Sequence, residues 1–268
     1  MFKNVLNIQL KTSIDIFNIK KCCHIAEKTL SYLKQFISPG ISTSKLDAIA
    51  TEYILDHKAQ PALKGYKGFP CAICASVNNI AAHGIPSDII LKTGDIITVD
   101  ITVALDGWYG DAAWTYLVGD CDIRIQKLLK AAWQSSLAGI FAVKAGRSIG
   151  DIGYYVMKTA NRSGCAVIEE FGGHGIGRAM HEDPIIPHIG KKGSGIQIVP
   201  GMVFTIEPIL TFGKSDILFL DDGWTIAMKD GSCTAQFEHT VAVFKDRIEI
   251  LTFSEKFIKN YIDTPPYF

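Results

Sequence analysis

The 268-residue chain carries 27 Lys+Arg and 27 Asp+Glu, a formal net charge of zero, so no basic surface for nucleic acid is expected. Its 48% hydrophobic content and mean hydropathy of +0.19 mark a globular chain with a full core, in one large domain or two small ones, and no apolar run approaches the ~20 residues that span a bilayer. Seven cysteines, an odd number in a chain too large to need staples, point to a reducing compartment, and the opening MFKNVLNIQLKTSIDIF lacks the continuous apolar stretch of an export signal.

Apolar residues recur at helical spacing from Ile14 to Ile37, and Ser38-Pro39-Gly40 stops that helix. Ser44 and Asp47 have capping-box spacing for a second helix, to about His57. His24 and His57 have no partner at ligand spacing and read as surface or boundary residues. After an aromatic loop, Gly65 to Pro70, residues 71–77 read as a strand. Its Cys71-x-x-Cys74 reads as two small buried side chains rather than a redox pair, since no helix N-terminus follows to lower a thiol pKa. Asn78-Asn79 turns the chain, and His83 precedes a Gly84-Ile85-Pro86 turn, where a histidine taken alone is more often structural than catalytic.

The organising stretch is Val99 to Trp114. Asp106-Gly107 is a two-residue hairpin signal that sets Leu105 opposite Trp108 and Thr102 opposite Asp111. Asp100 and Asp111 then point from the same face as diagonal neighbours, unless Gly110 bulges the second strand. Two carboxylates sharing a half-buried site need a proton or a cation between them. A shared proton implies aspartic-protease-like chemistry, and a divalent metal implies hydrolysis by bound water.

Helices are expected over 122–143 and 149–160. A Gly- and His-rich segment follows, from Phe171 to Pro184, with His174 and His181 in it. Residues 187–195 read as loop. An apolar strand from Met202 to Leu210 carries Glu207. Residues 217–220 and 224–228 form a short meander, and a strand from Phe237 to Phe244 carries Glu238. The tail from Ile262 to Phe268 reads as a loose end. Helices and strands in separate runs predict an α+β fold with a largely antiparallel sheet.

Asp100, Asp111, Glu207 and Glu238 each interrupt an apolar strand with no Lys or Arg placed in those strands to neutralise them. Separate ion pairs with distant bases are the plain alternative. Convergence on metal explains all of them: four carboxylates balance two divalent ions, and His174, packed among glycines, is the best candidate for a neutral imidazole ligand. Oxygen-rich ligation with one nitrogen suits Mn, Fe, Co or Zn and disfavours a thiolate site. Two ions roughly 3.5–4 Å apart can bridge one hydroxide and supply a nucleophile at neutral pH. A metal-free aspartyl dyad leaves Glu207, Glu238 and His174 unexplained.

In order and spacing, Asn78-Asn79, His83-Gly84-Ile85-Pro86, Asp100/Asp111, Gly173-His174-Gly175-Ile176-Gly177, His181-Glu182-x-Pro184, Thr205-Ile206-Glu207-Pro208, Trp224-Thr225 and Gln236-Phe237-Glu238-His239-Thr240 resemble the methionine aminopeptidases. The match runs from the first helix to about Phe244. With no N-terminal zinc-finger extension and no sizeable insertion in its second half, the chain resembles the type I, bacterial-style enzymes. The resemblance implies a pita-bread fold of two related halves around a central antiparallel sheet, in one catalytic domain, 1–268, with a core of about 12–250. It implies removal of the initiator methionine from nascent peptides when the second residue is small.

It also implies that Asp100, Asp111, His174, Glu207 and Glu238 hold two divalent ions (Co, Mn, Fe or Zn), with Asp111 and Glu238 bridging them. Glu207, His83 and His181 would act at the scissile peptide. Tyr66, Phe69, Cys74, Met180 and Trp224 would line the pocket for the methionine side chain. Met180 stands where the family usually has Phe, and Phe69 where it often has Tyr; both departures concern the pocket rather than the metal. The expected setting is a cytoplasmic monomer meeting nascent chains, with transient ribosome contact and no membrane or nucleic-acid partner. Two other readings compete. A prolidase or Pro-specific relative would carry a large N-terminal domain that this chain is too short to hold. A pita-bread binding protein that had lost catalysis would lack ligands that are present here.

Overall fold

The fold grows outward from the hairpin that Asp106-Gly107 dictates. In the computed structural model, which describes residues 7–253, 259, 260 and 265, both turn residues have positive φ, 53° and 73°. That is the backbone of the two-residue turn whose twist matches paired strands. In chain order the helices are α1 (Ser13–Leu33), α2 (Thr43–Asp56), α3 (Ile123–Ala142) and α4 (Ile149–Arg162). The strands are β1 (Gln60–Pro61), β2 (Cys74–Val77), β3 (Ile80–Ala82), β4 (Ile96–Leu105), β5 (Trp108–Leu117), β6 (Ala166–Val167), β7 (Gly172–Gly175), β8 (Glu182–Pro187), β9 (Val203–Ile206), β10 (Ile209–Thr211), β11 (Ile217–Phe219), β12 (Ile226–Met228), β13 (Thr234–Gln236), β14 (His239–Val243) and β15 (Ile248–Ile250). All paired strands among them run antiparallel, so the α+β expectation holds.

The β4–β5 register is the expected one, with Leu105 opposite Trp108, Thr102 opposite Asp111 and Asp100 opposite Ala113. Gly110 does not bulge β5: pairing runs unbroken through Val103 and Gly110. Its missing side chain serves packing instead, because a Cβ there would collide with the α1 backbone at Cys22 and Cys23. In one half of the molecule α1 and α2 flank the sheet of β1, β2, β4 and β5. In the other, α3 and α4 flank the sheet ordered β15-β14-β9-β7-β8. The halves meet where Trp114 bridges Phe237 and Glu238 N donates to Ala113 O at 2.8 Å. Buried Trp114, Trp133, Phe237 and His239 fill that seam, with ring centroids 5.4–6.1 Å apart.

Several boundaries shift for local reasons. α1 stops at Leu33, because Phe36 N and Ile37 N turn back to Leu33 O. α2 is capped by Ser42, whose Oγ accepts from Lys45 N at 3.2 Å, and not by Ser44. Asp47 instead accepts from Ala72 N (2.8 Å) and Ile73 N (3.1 Å), which holds residues 71–73 as a bend, so the strand begins only at Cys74. The run from Met202 to Leu210 is two strands broken at Glu207-Pro208, and the strand expected over Phe237 to Phe244 starts only at His239 (β14), with Phe237-Glu238 between it and β13. β9 pairs with β14 while β10 pairs with β13, so both acidic residues sit where the chain passes from one sheet to another. The tail from Ile262 to Phe268 lies outside the described residues except for Pro265.

Candidate metal centre and substrate cleft

Asp100, Asp111, His174, Glu207 and Glu238 come from β4, β5, β7 and the two strand breaks, and all five line one cleft of 770 Å³. Oxygen atoms of Asp111 and Glu238 and a ring nitrogen of His174 lie within 4.8 Å of one another. His174 Nε2 is 3.9 Å from Asp111 Oδ2 and 3.6 Å from Glu207 Oε1. Burial and the neighbouring His181 push His174 down to about 3, so its imidazole is neutral and these spacings are not ion pairs. Its Nδ1–H donates to Gly175 O at 3.0 Å, which leaves the Nε2 lone pair facing the carboxylates. Glycines make the approach possible, since a Cβ on Gly173 would collide with Thr205 O.

The donor set fits a divalent ion on two counts. Ligand bonds of about 2.0–2.2 Å place two donor atoms up to about 4.4 Å apart, close to the spacing found. In addition, Asp111 Oδ1 and Glu238 Oε1 are buried and have no hydrogen-bond partner among the described residues, although a buried carboxylate oxygen is costly to leave unpaired. Among the lining residues the only Lys or Arg is Lys67, against seven acidic side chains, and among the described residues no Lys or Arg forms an ion pair with Asp100, Asp111, Glu207 or Glu238.

Several polar side chains fix these donors. Thr102 Oγ1 donates to Asp111 Oδ2 (3.0 Å), and Thr205 Oγ1 donates to Glu207 Oε1 (2.6 Å) while accepting from His174 N (3.0 Å). Thr240 Oγ1 donates to Asp111 O (2.8 Å), Gln236 Nε2 to Glu207 O (3.3 Å), and Glu207 N to His188 Nε2 (3.1 Å). The sequence reading missed these orienting roles. Thr102 and Thr205 could have been found from period two, since each shares a strand face or a two-residue spacing with an acid; His188 gives no local signal.

Beside the carboxylates lies an apolar recess. Buried Phe69, Cys74 and Met180 line it with Tyr66, Trp224 and His83. Phe69 meets Trp224 edge-on at 5.2 Å, and His83 stands edge-on to Trp224 (6.1 Å) and to Phe171 (5.9 Å), a contact the sequence did not reveal. His83 has φ 54°, the left-handed region, in a segment clamped where Gly84 O accepts from Ala75 N (2.8 Å) and Gly84 N donates to Ser76 Oγ (3.1 Å). His181 shares a 3.0 Å hydrogen bond with Tyr66 OH through Nδ1, and its ring lies 4.2 Å from that of His174. Burial lowers the pKa of both His83 and His181.

Residues 18–245 match Metallopeptidase family M24. The chain belongs to that family. It is 40% identical over 263 residues to the methionine aminopeptidase of Rickettsia prowazekii (strain Madrid E), covering 98% of this chain and all of that one. The crystal structure of the Rickettsia prowazekii methionine aminopeptidase superposes with a TM-score of 0.91 over 92% of this chain and 100% of that chain. That of the Thermotoga maritima methionine aminopeptidase superposes with a TM-score of 0.90 at 36% identity, over 92% and 100%. The fold is therefore the pita-bread fold of this M24 branch. The prolidase of Pyrococcus furiosus shares the fold alone, at 20% identity and a TM-score of 0.72, with 92% of this chain matching 66% of that one.

Without cations, the carboxyls of this M24 chain resist ionisation. Burial pushes Asp100 up to about 7 and Glu207 up to about 8; burial and then mutual repulsion push Asp111 and Glu238 well above the usual range. Unfolded carboxyls ionise near pH 4. The cation-free fold therefore binds more protons than the unfolded chain as pH rises to about 8, and stability falls with pH there. Below about pH 6.5 the buried His174, His188 and His239, each held near about 3, act with the opposite sign. The clean window is pH 6.5–8. Chelated protein is expected to lose melting temperature across it, by about 2–4 °C for each kcal/mol lost, and saturating divalent ion to flatten the slope. Calorimetry with and without chelator checks this, and a melting temperature that rises through that window in chelator would contradict it.

Proposed function

We propose that the chain removes the N-terminal methionine from peptides and nascent proteins whose second residue is small, with Asp100, Asp111, His174, Glu207 and Glu238 holding two divalent ions drawn from Mn, Co, Fe or Zn. The observation that carries this reading is the adjacency of the unpaired, buried Asp111 and Glu238 oxygens to the recess walled by Tyr66, Phe69, Cys74, Met180 and Trp224. When bound, such ions act as Lewis acids and supply a nucleophilic water at neutral pH.

The chain's own groups do the rest. The carboxylate cluster attracts the ammonium of a free N-terminus, while the apolar recess takes an unbranched thioether side chain that packs well against aromatic edges. Glu207, oriented by Thr205 Oγ1 at 2.6 Å and with Gln236 Nε2 3.5 Å from its Oε2, takes a proton from the attacking water and returns it to the departing amine. His83 and His181, neutral at pH 7, face the scissile amide. In the tautomer that accepts from Tyr66 OH at Nδ1, His181 presents an Nε2–H to the carbonyl oxygen of the peptide. No helix of the described residues is long and apolar enough to cross a membrane, and all seven cysteines are free. A monomer in the cytosol, touching the ribosome transiently as N-termini emerge, completes the proposal.

The test is hydrolysis of Met-Ala-Ser against N-acetyl-Met-Ala-Ser, Val-Ala-Ser and Leu-Ala-Ser. Cleavage of the first with far slower turnover of the blocked and β-branched peptides is expected; equal rates on blocked and free peptides would refute the exopeptidase reading. Met180 refines this. Its side chain is buried in the recess wall and has more rotamers than the Phe usual in the family, so it discriminates less sharply. Met180→Phe should raise the Met/Leu ratio in kcat/KM by up to about tenfold, within the 1–3 kcal/mol that a methylene commonly commands, with metal content unchanged. An unchanged ratio would remove Met180 from the list of selectivity residues.

A further inference from the structure

Met180 and His181 lie on an irregular segment, residues 177–181, with one internal backbone bond, Gly177 N to Ala179 O at 3.2 Å. A stretch so poorly bonded within itself takes its shape from what grips it. One grip is the hairpin tip. Tyr109 N donates to Gly177 O (3.0 Å), and the Arg178 guanidinium lies 3.7 Å from the Trp108 ring while donating to Asp106 O (3.4 Å) and Gly107 O (3.3 Å). The other grip is Glu182. Its Oε1 accepts from Arg178 N (2.7 Å) and Ala179 N (3.1 Å), so one carboxylate closes the segment onto its own start.

That carboxylate is held in turn by a residue far away in sequence. Glu182 Oε2 meets Lys11 Nζ at 2.5 Å, and the two side chains are only 10% and 6% exposed. Removing one partner from such a sheltered pair leaves an uncompensated charge. Lys11 is itself anchored: its N donates to Gly201 O (2.7 Å) and its Nζ to Gln9 O (2.9 Å), and Asn7 N donates to Asp183 Oδ2 (3.0 Å). Gly177 makes room for it, since a Cβ there would collide with Lys11 Cε. The segment before α1 is therefore a strap across the back of the loop that presents His181.

We propose that Lys11 is a positioning residue, which through Glu182 fixes the backbone of residues 178–181 and hence the aim of His181 into the cleft. The inference rests on the proposed function for its kinetic consequence only; the grip on the loop stands independently. Lys11→Met keeps the length and apolar stem of the side chain and removes the charge. It should speed amide hydrogen exchange at Arg178 and Ala179 at least tenfold, and lower kcat on Met-Ala-Ser by about 10–100-fold, the cost of misaiming a reacting group by about an ångström. Metal content should stay near wild type, since none of the five metal donors lies on residues 178–181, and KM should change less than kcat. In a His181→Ala background the same change should add little, because the group it aims is gone.

Unchanged exchange at Arg178 and Ala179 would overturn the strap. Faster exchange with undiminished kcat, or full additivity with His181→Ala, would reduce Lys11 to a structural role and overturn the positioning claim. If Lys11→Met does not fold, Glu182→Gln carries the same measurements from the other partner. Wild-type protein that leaves Met-Ala-Ser intact would sink the proposed function, and the exchange experiment then decides the strap by itself.

Discussion

Replacing Asp111 with Asn is expected to remove at least one divalent ion and to abolish measurable turnover of Met-Ala-Ser. Asp111 Oδ2 already accepts from Thr102 Oγ1 at 3.0 Å, Oδ1 is buried with no hydrogen-bond partner among the described residues, and a carboxylate oxygen of Asp111 lies within 4.8 Å of donor atoms of His174 and Glu238. Asn keeps the shape, removes the charge and puts an NH2 where one oxygen stood, so whichever oxygen it replaces is lost either to Thr102 or to the ion. Losing a group that merely orients a ligand costs about 10–100-fold in metal affinity; losing a direct donor should cost more than that. Metal analysis after gel filtration and a single-turnover assay read both effects. Because the variant also removes one of the repelling carboxyls, its cation-free form should melt higher than chelated wild type, which separates lost metal from lost folding. Full activity with unchanged metal content would defeat the two-ion assignment.

His83→Ala should lower kcat by a factor of about 10²–10⁴, the span typical of a lost proton donor or acceptor at the reacting bond, with a much smaller change in KM. His83 is half-buried against Trp224 and Phe171, its pKa is lowered by burial, and it is held at φ 54° by the clamp around Gly84. A left-handed backbone at a non-glycine residue is stored strain, which persists only when the surroundings impose it. His83→Asn, better suited to positive φ, distinguishes relaxation of that backbone from loss of the imidazole. If Asn restores the rate, the backbone mattered; if both variants fail in kcat, the ring did. A defect confined to KM would leave His83 as a substrate-binding residue only.

The hairpin was legible in the sequence because register there is a local matter. Two turn residues with positive φ fix which positions face each other, and period two then puts Asp100 and Asp111 on one face. The four acids were legible because a charge in an apolar strand breaks a pattern. The break at Glu207-Pro208 was not, since the apolar run continues through it and only pairing with different partners, β14 for one piece and β13 for the other, divides it; nor was the start of β14 at His239, since nothing local sets Phe237-Glu238 apart from the apolar run that follows. Asp47 has the spacing of a capping residue, yet its carboxylate goes to backbone amides 25 and 26 positions away. Lys11 reads as an ordinary polar residue ahead of a helix, and its contact with Glu182 spans 171 positions. In each case the deciding partner lies beyond the reach of local periodicity.

We propose that buried carboxylates and one imidazole form a two-ion peptidase centre for an N-terminal methionine. The most direct measurement is hydrolysis of Met-Ala-Ser by chelated protein to which Mn, Co, Fe or Zn is returned in counted equivalents, with bound metal measured at each step. Activity absent in the chelated protein, restored by at least one of these ions and bound to a limit of two per chain that Asp111→Asn reduces, is the predicted result. Turnover that persists in metal-free protein would contradict it.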